Sequence, residues 1–182
     1  TQGFNEACNY SFYSPKEFEL FRLPEAAEER NAVRILNPIS EELSVMRTFL
    51  APSMLGNAVR NLRRGNDEGR EFELANVYLP KALPLSEEPA EKRKLALGLW
   101  GNKYDFFDLK GAVEALLCAA RTPDVRFTAD TETAAFHPGR CAAVWSGDTR
   151  LGTLGQIHPD VCAAYGLDGA TYCAEIDVAL LH

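Results

Sequence analysis

Histidines, closely spaced carboxylates, cysteines and short-spaced glycines are the groups in this sequence whose types could do chemistry. His137 precedes Pro138-Gly139 and His158 precedes Pro159. An imidazole can move protons or bind a metal. Neither histidine, however, has a serine or cysteine nucleophile in a recognisable motif beside it. A following proline fixes extended or turn backbone, so both are expected to serve turns. Glu175 and Asp177 lie two apart on an expected strand and share a face. Such a pair could hold a metal or do acid–base work, and a solvated or salt-bridged face is expected instead, with Arg140, Arg150 and Lys110 as partners. The five cysteines, Cys8, Cys118, Cys141, Cys162 and Cys173, are odd in number and form no C-x-x-C pair. They read as small buried hydrophobes rather than disulfides or a zinc site with His137 or His158. Gly152-Thr153-Leu154-Gly155 lacks the lysine and the strand-to-helix context of a phosphate loop and reads as hairpin glycines. Arg60, Arg63 and Arg64 form a small cationic group, but Asp67 and Glu68 follow. A solvated helix end suits them better than a phosphate-binding patch.

These groups must be positioned by a soluble globular chain of 182 residues, 46% apolar and 25% charged. That length fits one domain, spanning residues 1–182. The net charge of −7 argues against a nucleic-acid binder that works by neutralising phosphates. No apolar run reaches the ~20 residues of a membrane span. No leader pattern opens the sequence, so a cytoplasmic location and no membrane contact are expected. Thr1 and the apolar ending Val178-Ala179-Leu180-Leu181 read as cuts inside a longer polypeptide.

Residues 4–13 and 33–36 read as strands, residues 16–21 as a short helix, and 24–31 as a turn or loop. Ser40-Glu41-Glu42 reads as a helix entry. Pro52 suits the first turn of a new helix whose stripe is Met54, Leu55, Ala58, Val59 and Leu62, closed by Gly65. Residues 71–79 alternate as a strand, 80–94 read as a loop, and 95–101 as a strand that pairs back on 71–79. Asp105 and Asp108 cap a helix with the stripe Leu109, Ala112, Val113, Leu116, Leu117 and Ala120. Strands follow at 125–128, 141–146 and 151–157, with a hairpin turn at Gly147-Asp148. A short helix starts at His158, and 172–178 is the last strand. The pattern indicates an α+β fold on an antiparallel sheet flanked by helices.

Four stretches resemble the phenylalanine–tRNA ligase β subunit family of bacterial type. They are GFNEACNYSF (3–12), NPISEELSVMRTFLAPSML (37–55), FELANVYLP (72–80) with LALGLWG (95–101), and a tail of FFDLKGAVEALL (106–117), FHPGRCAAVW (136–145), LGTLGQIHPDV (151–161) and YCAEIDV (172–178). Their order and spacing fit, and they cover nearly the whole chain. The resemblance implies a fold like the class II aminoacyl-tRNA synthetase catalytic domain, here without the active site. Active relatives carry a motif 2 arginine in a strand of the type G-R-V-Y-R. The matching strand reads Ala75-Asn76-Val77-Tyr78-Leu79, so Leu79 stands at the arginine's place. A leucine offers neither charge nor donor. The second arginine belongs to G-x-G-x-x-R, a pattern this sequence lacks. Fixed cations matter most where negative charge develops, so the resemblance implies no adenylate chemistry, no catalytic residue and no cofactor in this module.

The same resemblance implies that the module packs on a catalytic α subunit. The assembly would hold two α and two β chains, and would charge tRNA with phenylalanine using ATP and magnesium. Contact with tRNA would be made by other parts of the complex. Arg47, Phe49, Leu50, Met54 and Leu55 are the interface candidates, with plain core as the other reading of the apolar ones. Arg47 reads as an ion-pair residue that needs a carboxylate. A rival from another class is a small-molecule-binding or active ligase paralogue that keeps a class II pocket.

Overall fold

The computed structural model describes residues 2–181. Seven strands form one sheet: β1 (Asn5–Glu6), β4 (Gly69–Leu79), β5 (Ala90–Trp100), β6 (Val125–Ala129), β7 (Phe136–Ser146), β8 (Thr149–Ile157) and β9 (Thr171–Asp177), in the spatial order β1-β4-β5-β9-β8-β7-β6. All neighbours are antiparallel except the edge pair β1 and β4, which is parallel. A separate two-stranded ladder joins β2 (Phe12–Tyr13) to β3 (Val45–Met46). The helices are α1 (Glu17–Leu20), α2 (Ala51–Leu62), α3 (Phe106–Ala119) and α4 (Pro159–Tyr165). Among the described residues no helix is long and apolar enough to cross a membrane.

The sheet is covered on both faces. On one, α1, α2, α4 and the amino-terminal segment bury Phe21, Leu50, Leu55, Val77, Ala96 and Cys173. On the other, α3 buries Leu109, Val113 and Leu117 against Val144, Leu154 and Ile176. The stripe read on α3 is therefore its core face, and the capping box is complete. Asp105 accepts from Phe107 N at 2.7 Å and Asp108 N at 3.0 Å, while Asp108 accepts from Asp105 N at 2.8 Å.

Several expectations need correction. Residues 4–13 are two short strands around an irregular stretch, and 33–36 supplies only a bridge from Arg34 to Val45. The helix entry at Ser40 is a single 3-10 turn, Glu41–Leu43, with no side-chain cap. Strand β5 begins at Ala90, so the charged run Glu91–Lys94 belongs to the hairpin rather than to the loop. It pairs in register with Ala75–Tyr78. Gly152 and Gly155 are interior strand residues, whereas the hairpin turn is Gly147-Asp148. A Cβ on Gly152 would come within 2.1 Å of the Glu175 carbonyl oxygen, and one on Gly155 within 2.7 Å of that of Arg140. Close backbone approach inside the sheet, not a turn, requires glycine at these two sites. Cys141, Cys162 and Cys173 are buried as expected, but Cys8 and Cys118 are exposed.

The turn between β6 and β7 is organised by Asp130, which is 8% exposed. Its carboxylate accepts from Glu132 N (3.0 Å), Thr133 N (3.1 Å), Thr133 Oγ1 (2.8 Å) and Arg150 Nη2 (2.8 Å). Burial disfavours the charged form, but the donors of Thr133 and Glu132 and the Arg150 charge outweigh it and hold the carboxyl below its ordinary 3.8. A depressed folded-state value stabilises the fold above the unfolded value, and that contribution is lost as pH falls through the folded one. Asp130→Asn is expected to lower the urea midpoint at neutral pH and to flatten the acid limb of stability below about pH 4. Asp105→Ala is expected to cost about 1 kcal/mol, read from the same unfolding curves.

Candidate functional site

The face of the sheet beneath α2 is where the residues singled out from the sequence converge. In β4, β5 and β9 the register aligns Glu73, Ala96 and Glu175 side by side, and in the next row aligns Ala75, Lys94 and Asp177. Directly paired residues point to the same face of a sheet. Two carboxylates therefore stand on one side of the central strands, two strand spacings or about 10 Å apart, with the small Ala96 between them.

Each carboxylate is closed by its own set of donors. Glu73 is 2% exposed and Arg47 3%. Arg47 Nη1 lies 2.9 Å from Glu73 Oε1. Asn9 donates to the same carboxylate from its backbone N (3.1 Å) and Nδ2 (2.9 Å). Arg47 also donates to Asn76 O at 2.8 Å and to Tyr10 O at 3.3 Å. One guanidinium thus fastens the amino-terminal segment and β4 to the strand end that leads into α2. The expectation of a carboxylate partner for Arg47 is met, and the partner is Glu73.

Glu175 accepts from Lys94 Nζ at 2.8 Å, from Leu50 N at 2.8 Å and from Ala51 N at 3.3 Å. Helix α2 has no side-chain cap of its own. A carboxylate from β9 satisfies its free N–H groups and lies on the positive end of its dipole. Lys94 is pushed down by burial, but the Glu175 charge and hydrogen bond win and hold it above its ordinary range. The expected partners of Glu175 and Asp177 are placed elsewhere. Arg140 donates to Gln156, Arg150 pairs with Asp130, and Lys110 pairs with Glu114. Asp177 accepts from Ala179 N at 3.1 Å, at the start of the final 3-10 turn.

Next to this layer, Thr48 N and Tyr13 Oη are 2.9 Å apart, and Tyr13 Oη and Thr48 Oγ1 are 2.8 Å apart. Burial raises the Tyr13 phenol well above its usual range, so it stays protonated. Leu79, at the last position of β4, packs half-buried on the core of the same face. The arrangement holds charge already neutralised by protein donors, which suits positioning rather than proton transfer.

Phe49, Leu50, Met54 and Leu55 are 8%, 0%, 2% and 0% exposed within this chain alone. With buried Arg47 they lie in the core that this chain builds for itself, the other reading given to the apolar ones. His137 and His158 do serve local backbone. Their Nδ1 atoms accept from Gly139 N and Asp160 N, each at 3.1 Å, and His158 caps α4. Among the described residues no three His, Cys, Asp or Glu side chains are grouped to hold a metal ion. Sequence reasoning missed Glu73, because alternation placed it with Glu71 on a face that reads as polar, and it missed Lys94.

Removing one partner of a buried pair leaves an uncompensated charge. Arg47→Met is therefore expected to cost about 3–5 kcal/mol in urea unfolding, and Glu73→Leu a comparable amount. The double variant should cost clearly less than the sum of the two, because no lone charge remains. Strict additivity would show that the pair is not coupled.

Comparison with known proteins gives the site its family. The model of the phenylalanyl tRNA synthetase beta chain CLM domain matches residues 1–178. A phenylalanine–tRNA ligase beta subunit of Clostridium acetobutylicum is 42% identical over 181 residues, covering 100% of this chain and 23% of its own length. The beta subunit of Syntrophotalea carbinolica is 37% identical over 186 residues, covering 96% of this chain and 23% of that protein. The chain thus spans less than a quarter of these curated relatives. Among solved structures, the pyrrolysyl-tRNA synthetase of Desulfitobacterium hafniense superposes with a TM-score of 0.76 at 16% identity, over 99% of this chain and 62% of that one. That likeness fixes the fold as that of a class II synthetase catalytic domain. The chain belongs to the phenylalanyl tRNA synthetase beta chain CLM domain family.

Proposed function

We propose that this module is a non-catalytic scaffold of a phenylalanine–tRNA ligase β subunit, which packs on the catalytic α subunit of an enzyme with two α and two β chains. The observation that carries the reading is the closed state of the α2-side face. Its carboxylates are neutralised by Arg47 and Lys94, α2 is seated on Glu175, and Leu79 stands at the motif 2 arginine's place. A triphosphate needs fixed positive charge aimed at it. Here buried Arg47 and half-buried Lys94 are consumed within the chain. ATP and magnesium are used by the parent complex, tRNA is contacted through other parts of the complex, and the assembly works in the cytoplasm.

Docking is supported by an apolar groove of about 560 Å³ between α3 and the β4–β5 hairpin, lined among others by Phe4, Phe72, Leu74, Leu116 and Val178. Leu74 is 39% exposed there. Open apolar surface of this kind is characteristic of faces that meet other protein.

The purified chain is expected to show no ATP–pyrophosphate exchange with phenylalanine, and Leu79→Arg alone is expected to leave it inactive. Co-expression with an α subunit should yield a complex that survives affinity capture. Exchange activity above background, or failure to retain the α subunit, would overturn the respective half of the proposal.

A further inference from the structure

The sheet face opposite the Glu73–Glu175 layer carries a second, separate feature. A cleft of about 620 Å³ opens between the first turn of α3 and strands β6, β7 and β9, within the size range of small-molecule sites. Its walls include Phe106, Phe107 and Phe127, and Tyr172, Arg140 and Lys110 contribute polar atoms. Tyr172 is 4% exposed, yet its hydroxyl forms no hydrogen bond among the described residues. The ring is what is buried, and the hydroxyl oxygen itself reaches solvent. The lining of the cleft by Tyr172, and the absence of any fully enclosed unpaired side-chain atom, place the small accessible part of this residue at the cleft.

The neighbours of this hydroxyl define what would satisfy it. Arg140 reaches in from β7 and donates through Nη1 to Gln156 at 2.7 Å, using one of its five N–H donors. Gln156 is itself paired in register with Tyr172. Lys110 Nζ lies 4.5 Å from the Phe127 ring centroid and pairs with Glu114. The one acid in the lining, Asp105, caps α3 through Oδ1 and keeps Oδ2 without a partner among the described residues. Phe107 is 72% exposed, and its ring meets Phe106 edge-on at 5.6 Å, which leaves a ring face open. The unfilled polar capacity is the remaining N–H groups of Arg140, the Tyr172 hydroxyl and one oxygen of the Asp105 carboxylate, and the free apolar capacity is a flat aromatic face.

We infer that this cleft binds a planar aromatic ring bearing an anionic group, the chemistry of a nucleotide, with the base stacked on Phe107 and its phosphate or ring acceptors met by Arg140 and the Tyr172 hydroxyl. Aromatic platforms beside cations hold single nucleotides with little regard to base identity. The net charge of −7 limits this to one nucleotide's worth of contact rather than a tracked backbone. The inference does not rest on the scaffold reading, since the cleft requires no chemistry and shares no lining residue with the apolar groove on the same side of the sheet.

The free 182-residue chain, in isotope-labelled form, would be titrated by NMR with AMP and UMP, and by fluorescence anisotropy with a labelled single-stranded RNA hexamer. Shifts confined to Phe106–Lys110, Phe127–Ala129, Arg140 and Tyr172 are expected with at least one of these probes. Phe107→Ala, at an exposed site that should leave the fold intact, is expected to weaken binding about tenfold through lost stacking. Tyr172→Phe and Arg140→Gln should weaken it about fivefold each, with unchanged thermal melts. Response to AMP or UMP would identify a free nucleotide as the source, and response to the hexamer alone an unpaired nucleotide in RNA. No response to any probe would overturn the inference. So would binding indifferent to Phe107→Ala and Arg140→Gln, or occupation of the cleft by a partner's aromatic side chain in the complex.

Discussion

Everything on the α2 side of this molecule depends on two carboxylates being held on the face of an antiparallel sheet. Glu73 and Glu175 flank Ala96 in one row, and neither can be buried without donors. Arg47 and Asn9 meet the first, and Lys94 and the amino terminus of α2 meet the second. Each set of donors comes from a different part of the chain. Satisfying the carboxylates therefore brings together the amino-terminal segment, the strand leading into α2, the central hairpin and the last strand. Such a network costs much to break and adds little over an apolar core of the same shape. Its consequence here is geometric, because it fixes where α2 starts and how it lies on the sheet.

That constraint bears directly on function. A class II fold that handles ATP needs positive charge that is fixed but still free to meet phosphate. In this chain Arg47 and Lys94 of the α2-side face are spent on its own carboxylates. The fold supplies the sheet, and the side chains decide whether it carries a site. The opposite face follows a different logic. There α3 covers the sheet incompletely, leaving an apolar groove on one side and an aromatic, donor-rich cleft on the other.

The alternation of 71–79, the capping pair Asp105 and Asp108, the stripe on α3 and the turn at Gly147-Asp148 were legible in the sequence because each is a local rule: period two, period 3.6, a cap, a turn. These local patterns, with the ordered family segments, determined the α+β class and the synthetase-like architecture. The requirement that Arg47 meet an acid was legible too, since a guanidinium within an apolar run has few other fates. The burial of Glu73 was not, because alternation marks which residues share a face without telling which face another element will cover. Glu175 as the cap of α2 lies about 125 positions away from the helix it serves, beyond any local pattern. The same holds for the glycines of β8, whose need appears only when β7 and β9 close on either side. Sequence alone determined the family and those elements that follow a local rule. Tertiary structure alone decided which charges neutralise one another, because that depends on which distant strands lie side by side.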